Sequence, residues 1–367
     1  MKDKKIPWWE PEIGREEYTL VKGVLDKHFP NQGDLSSLFE TKVANLLHAK
    51  HAIVTTSGSV ALFLALKALS VGLGDEVLVP DVTFIATANA VTMCGATPVL
   101  VDVDPKTMNI DINDVERKIT PKTKAIIPVH ISGRGTDILA ILDIAKKNDL
   151  KVVEDAAEAF FSKKDNAYLG THGDLGCFSL SPNKTITSGQ GGIVVTNDDE
   201  IAVRVRQLKN QGVEQRLTGG DDIHPTIGFN FKFTDIQAAV ALGQFNLLED
   251  RIFIMKRNHL LYKKYLSDLE HIEVLDFDVD GGEVPQWTDV IVENRDELVS
   301  FLNQKNIFPR KFWLPIHTQE PYKQDDEGFK NSLKCSANAL WLPSAFTLSE
   351  DDILYVCESI KSFYSNS

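Results

Sequence analysis

Apolar positions along this chain fall into two registers that alternate. From Gly14 to His28 they recur every three or four residues, with Tyr18, Val21, Val24 and Leu25 on one side, which predicts an amphipathic helix. Leu35 to Leu47 repeats the pattern through Leu38, Phe39, Val43, Ala44 and Leu47. A strand-like run, Ala52 to Thr56, then meets Ser57-Gly58-Ser59 and a predicted helix from Val60 to about Ser70. Strands are expected next at Glu76–Pro80, Thr97–Val103, Ala125–His130 and Lys151–Asp155, with helices at Phe84–Met93 and Ile138–Asn148. The β-branched runs are short and apolar on both faces, as befits parallel strands buried between helices.

This order predicts an α/β fold with a large, mostly parallel sheet. The large domain is expected over residues 31–245, after an arm and helix over residues 1–30. A long helix from about Asp235 to Lys256 is predicted at the junction. Beyond it, Val290-Ile291-Val292, Asp296–Gln304, Leu340-Trp341-Leu342 and Glu350–Tyr364 predict a smaller C-terminal α/β domain over residues 246–367. No internal repeat interrupts this organisation.

Composition narrows the class without naming a function. At 43% hydrophobic and 25% charged, the 367 residues are those of an ordinary globular protein. The net charge of -13 is spread along the chain, which argues against nucleic acid or an anionic membrane as partner. A local group of cations can still bind a small anion. Cys94, Cys177, Cys335 and Cys357 form no Cys-x-x-Cys pair, so neither a zinc site nor a disulfide framework is expected. The Ile6–Pro11 stretch is no signal-peptide core, and no apolar run approaches the roughly 18 residues of a membrane span. A cytoplasmic location is expected.

The candidate chemistry centres on Lys184, between the hydroxyl-rich Ser179-Leu180-Ser181-Pro182 and the glycine-rich Ser188-Gly189-Gln190-Gly191-Gly192. A lysine amine on a tight loop can form a Schiff base, the bond on which pyridoxal phosphate (PLP) enzymes depend. A phosphate-binding loop fails on spacing, since no glycine precedes Lys184. Ser57-Gly58-Ser59, between a strand and a helix N-terminus, suits a phosphate, although a capping serine explains it as well. Phe84 opens the next helix and is placed either to stack on a ring or to pack the core. Asp155 ends a buried strand, where a carboxylate needs a partner: a protonated ring nitrogen, a cap or a salt bridge. Glu158, His130 and His317 complete the polar set, with no metal-ligand spacing and no Gly-x-Ser-x-Gly elbow among them. Gly133-Arg134-Gly135 lacks the third glycine of a dinucleotide fingerprint.

Taken in order, these pieces resemble the PLP-dependent nucleotide-sugar aminotransferases of the DegT/DnrJ/StrS family. The resemblance runs from Pro11 to the final helix. It is carried by Ser57-Gly58-Ser59-Val60-Ala61-Leu62, Val79-Pro80-Asp81-Val82-Thr83-Phe84, Glu154-Asp155-Ala156-Ala157-Glu158-Ala159, Phe178-Ser179 with Lys184, Gly228-Phe229-Asn230-Phe231-Lys232 and Pro315-Ile316-His317. It implies PLP fold type I, related to aspartate aminotransferase. It further implies that Lys184 carries the cofactor and later moves protons, and that Asp155 pairs with the pyridinium nitrogen. The backbone at Gly58 and Ser59, with the Ser179 hydroxyl, would hold the phosphate, with Ser57 also among the cofactor-binding residues; Phe84 would stack on the ring, and Glu158 would lie near its 3-hydroxyl. Asn230 would reach the cofactor of the second subunit of a homodimer with shared active sites, and His317 and Arg134 are candidates to meet substrate. Lys232 stands where the family often has arginine, which weakens any bidentate contact there.

The implied reaction moves an amino group from an amino acid, expected to be L-glutamate, to a keto group of a nucleotide-linked sugar. The Asp-Ala-Ala-Glu form ending at Glu158 resembles the subgroup that aminates 4-keto-6-deoxy sugars. Alternatives are amination of a 3-keto sugar, sugar dehydration (disfavoured, because the related dehydratases have histidine in place of Lys184), and a non-catalytic regulator on the same fold.

Overall fold

The computed structural model describes residues 4–213 and 223–365. Seven strands form the large sheet: β1 (His51–Thr55), β2 (Glu76–Pro80), β3 (Thr97–Val101), β4 (Thr123–Ile126), β5 (Lys151–Asp155), β6 (Leu175–Ser179) and β7 (Gly192–Thr196). Their order across the sheet is β1-β7-β6-β5-β4-β2-β3, and only β7 runs against the others. The carboxyl ends of β1, β2, β5 and β6 therefore share one edge. Ser57-Gly58, Phe84, Asp155 and Ser179 follow or end these four strands, which is where ligands collect in α/β sheets.

Burial explains the pattern. Helix α1 (Arg15–Asp26) and helix α2 (Asp34–Leu47) are amphipathic, whereas Ala61 through Leu66 of α3 (Gly58–Ala68) are all buried between sheet and neighbouring helices. Each leucine or phenylalanine buried there contributes about 1.5–3 kcal/mol. Helices α4 (Ala86–Met93), α5 (Ile138–Lys147) and α6 (Asp199–Lys209) also flank this sheet. The strand expected through His130 ends at Ile126, because Pro128 has no N–H to give the ladder; the chain rejoins β5 when the His130 N–H donates to the Asp155 carbonyl at 3.1 Å. Strand β6 was not apparent from its pattern because Gly176 interrupts it. A Cβ there would lie 1.9 Å from the Gly170 carbonyl oxygen, so only glycine fits.

The single helix expected from Asp235 to Lys256 is two helices, α7 (Asp235–Phe245) and α8 (Leu248–Leu266). Asn246 and Leu247 close the first with bonds to Gly243 and Gln244, three residues back, and α8 restarts when Arg251 bonds to the Leu247 carbonyl. No proline or glycine marks the break. The bend carries Arg251 into a buried position where it donates to the Gln244 side chain and, at 2.9 Å, to the Thr185 carbonyl beside Lys184.

A second, antiparallel sheet consists of β8 (Ile272–Val274), β9 (Thr288–Val292), β10 (Arg310–Lys311) and β11 (Ala339–Leu342), ordered β8-β9-β11-β10. Helices α9 (Arg295–Gln304) and α10 (Glu350–Ser365) supply apolar faces to its core. The N-terminal arm attaches to this part of the molecule: Ile6 and Pro7 pair in parallel with Ile307 and Phe308. Trp8 consequently packs among Trp287 and Trp341, with ring centroids 5.1 and 5.8 Å away. No described helix is long and apolar enough to cross a membrane.

Candidate active site

A cavity of about 300 Å³ opens at the carboxyl edge of the large sheet, and Lys184, Asp155, Glu158, Ser57, Gly58, Ser59, Phe84 and Ser179 all line it. The Lys184 loop is fixed from outside its own element. Gln286 donates to the Asn183 carbonyl at 2.9 Å and Trp9 Nε1 to the Pro182 carbonyl at 2.9 Å, while Arg251 holds Thr185. Lys184 Nζ lies 3.2 Å from Glu158 Oε1 and 4.9 Å from the Trp287 ring centre. Glu158 is held in turn by the Ser132 N–H, which donates to Oε2 at 2.9 Å. Burial raises the Glu158 pKa, opposed by the Lys184 charge.

Asp155 is 5% exposed and makes two neutral contacts: Thr87 Oγ1 donates to Oδ2 at 2.8 Å, and the Ala157 N–H to Oδ1 at 3.1 Å. Burial also holds this carboxyl above its ordinary range. A cation placed against it would restore ionisation, which is what a protonated ring nitrogen offers. Just beneath, Glu154 is fully buried. It accepts from His130 Nε2 and from the backbone N–H groups of Gly170, His172 and Gly173 at 2.7–2.9 Å, and its pKa is depressed because these bonds outweigh burial.

One end of the cavity is built from backbone. Ser57 Oγ caps α3 by accepting the Val60 N–H, and its carbonyl accepts the Ala61 N–H. The N–H groups of Gly58 and Ser59, at the helix's first positions, have no intrahelical acceptor. They face an end that favours an anion. A Cβ on Gly58 would lie 3.0 Å from Ser179 Cβ, so the glycine lets α3 approach β6 and brings the Ser179 hydroxyl to the same place. Phe84 is 54% exposed at the cavity, leaving its face free for a ring. Amine, buried carboxylate, anion cradle and aromatic face together fit PLP.

Three expected site residues lie elsewhere. His317 is fully buried. Its ring sits 2.6 Å from Asp81 and stacks on Phe329, and its own N–H donates to Asp81, so it clamps two segments behind the cavity. Arg134 meets neither cavity nor solvent. It donates to Asp289 Oδ2 at 3.0 Å, to the carbonyls of Thr107 and Asp276, and its guanidinium lies over Phe277. Asn230 is exposed outside the cavity of its own chain, where its amide oxygen accepts from Lys232 Nζ.

Conversely, Trp8, Thr87, Trp287, Arg310, Trp313 and Trp341 line the cavity without having been singled out. Thr87, three residues after Phe84 and bonded through its N–H to the Phe84 carbonyl, was the one that spacing could have suggested. The others meet only through tertiary structure.

A lysine amine and buried carboxylates at the carboxyl edge of such a sheet, beside a smaller C-terminal domain, define a PLP enzyme of fold type I. Residues 11–361 match the model of the DegT/DnrJ/EryC1/StrS aminotransferase family. The chain belongs to that family, and it is a PLP-dependent aminotransferase. It is similar to GDP-perosamine synthases from Escherichia coli O157:H7 (38% identical over 99% of this chain and 100% of the relative) and Vibrio cholerae (34%, over 98% and 99%). Among solved structures, S. venezuelae DesV in complex with a ketimine intermediate superposes with a TM-score of 0.90 at 31% identity, covering 95% of this chain and 94% of that one.

Proposed function

We propose that this aminotransferase takes its amino group from L-glutamate and gives it to the C-4 keto group of a nucleotide-linked 4-keto-6-deoxyhexose. The setting we propose is cytoplasmic synthesis of a surface polysaccharide or related glycan. The observation that carries the reaction is the 3.2 Å pair of Lys184 Nζ and Glu158 Oε1 in the cavity that the buried Asp155 carboxylate also lines. For the acceptor, the support is full-length similarity to chains named GDP-perosamine synthase, together with the Asp-Ala-Ala-Glu run ending at Glu158.

Bound in this cavity, PLP supplies the electron sink and carries nitrogen between the two half-reactions. The chain's own residues do the rest. Lys184 Nζ would take the proton from the donor's α-carbon and place it on the cofactor carbon that keeps the nitrogen, then run the transfer in reverse, onto the sugar carbon, when the keto sugar enters. Glu158 keeps that amine directed into the cavity. Asp155 would hold its negative charge against the cofactor's protonated ring nitrogen, which would offset the burial that raises its pKa. Phe84 excludes water from one face.

The exposed position of Asn230, outside its own chain's cavity, supports a homodimer in which Asn230 serves the partner's site. A second acceptor reading is favoured by one similarity. A UDP-N-acetyl-3-dehydro-alpha-D-glucosamine 3-aminotransferase from Acidithiobacillus ferrooxidans is 42% identical over 63% of this chain. Assays offering L-glutamate with 4-keto and 3-keto nucleotide sugars, read by mass spectrometry and NMR of the product, decide between them. A 4-amino sugar is expected, and preference for the 3-keto compound refutes the position of amination.

A further inference from the structure

We infer that Arg310 binds the α-carboxylate of the amino donor, an assignment that rests on the amino-acid donor proposed above. Four charged side chains line the cavity: Asp155, Glu158, Lys184 and Arg310. Lys184 and Glu158 pair with each other, and Asp155 faces the place of the ring nitrogen. Arg310 alone has no described ion-pair or hydrogen-bond partner. Its guanidinium lies 4.6 Å from the Trp8 ring centre and 5.6 Å from that of Trp341, and it remains exposed. The other guanidiniums nearby contrast with it. Arg134 and Arg251 are buried and committed to Asp289, Gln244 and carbonyl oxygens.

Arg310 is also held in place. It sits on β10 directly opposite Trp341 of β11, and the parallel pairing of Ile6 and Pro7 beside this strand brings Trp8 over it. Stacking fixes the plane of a guanidinium but uses none of its N–H donors, so a planar fork is left for an anion. Glu158, the other carboxylate of the cavity, is already paired with Lys184 at 3.2 Å. Arg310 is thus the one cavity cation whose side chain is not paired with a carboxylate.

The ligand must place an anionic group close to the carbon that loses its proton to Lys184. An α-carboxylate is one bond from that carbon. The diphosphate of a nucleotide sugar is separated from its keto carbon by the sugar ring and lies farther out.

The test uses holoenzyme and follows the visible absorbance change with L-glutamate, L-alanine and ethylamine, the last lacking any carboxylate. In Arg310→Gln the second-order rate constant for both amino acids should fall roughly 10- to 150-fold, the range of a lost hydrogen bond to a charged group. The ratio of L-alanine to ethylamine should collapse toward one. Arg310→Lys, which keeps the charge without the fork, should fall between. Calorimetric titration with glutarate gives a readout free of turnover, and its Kd should rise by a similar factor in Arg310→Gln. An unchanged ratio and Kd overturn the inference. So does a loss with glutamate but not alanine, which would move the contact to the side-chain carboxylate, or a rise confined to the KM of the nucleotide sugar. If wild-type holoenzyme reacts with no amino acid at all, the donor reading itself fails, and the wild-type arm alone reveals it.

Discussion

Replacing Gly58 by alanine tests the phosphate cradle without touching a charge. The new Cβ would stand 3.0 Å from Ser179 Cβ, 3.3 Å from its Oγ and 3.4 Å from its Cα. Carbon atoms prefer separations of roughly 3.5–4.0 Å, and although the Ser179 Oγ can rotate, its Cβ and Cα cannot move without the backbone. Either the first turn of α3 or the end of β6 must therefore move by some tenths of an ångström. If both elements hold the phosphate as proposed, the strain falls on the bound cofactor. Overpacking of this kind costs about 1–3 kcal/mol, which corresponds to a PLP dissociation constant raised roughly 5- to 150-fold. Titration of apoenzyme with PLP, followed by quenching of tryptophan fluorescence, measures it directly, since four of the five tryptophans line the cavity. Gly23→Ala is the control. Gly23 is exposed on α1 with nothing within 4 Å of an added Cβ, so it should gain about 0.5–1 kcal/mol of stability and leave PLP affinity as it was. Unaltered PLP affinity in a folded Gly58→Ala protein would show that the phosphate is not held between α3 and Ser179.

Asp155→Asn should retain PLP through the phosphate contacts yet slow the half-reaction with amino donor by roughly 10²–10³, the scale of one preorganised electrostatic contact. An unchanged single-turnover rate would make Asp155 a structural partner of Thr87 and Ala157 only. Glu154→Gln should destabilise the fold by about 1–3 kcal/mol at neutral pH, because an amide NH2 would then face N–H donors that the buried carboxylate accepts. The folded-state pKa of Glu154 lies below its ordinary 4.5, so its contribution is fully present above that value and is lost as the pH falls through the folded value. Urea melts should show the gap between wild type and variant narrowing below pH 4.5. A gap that stays constant there contradicts this assignment.

The parts of the site that were legible from sequence are those set by short-range rules. Ser57 precedes an apolar helix and caps it, Asp155 ends a run whose valines are buried, and Lys184 stands in a loop bounded by serines and glycines. What was not legible depends on residues far apart in the chain. The partner of Arg134 is Asp289, 155 positions away, and nothing local to Gly133-Arg134-Gly135 distinguishes a buried ion pair from a substrate contact. His317 likewise finds Asp81 across 236 positions. The Arg310 site requires the arm carrying Trp8 to pair beside Ile307, a two-residue ladder too short to show as a pattern. The break at Asn246 escaped because the apolar period continues from Leu242 into Leu248, both buried, while the backbone turns between them.

The central claim is that Lys184 carries the cofactor covalently, and peptide mapping after chemical reduction tests it most directly. Holoenzyme reduced with borohydride converts a lysine–PLP Schiff base into a stable secondary amine, which survives digestion and mass spectrometry. The account predicts that the peptide containing Lys184 gains the mass of a reduced pyridoxyl phosphate, that L-glutamate added before reduction removes the label, and that Lys184→Ala yields no labelled peptide. A label on another lysine, or an undiminished label in Lys184→Ala, would contradict it.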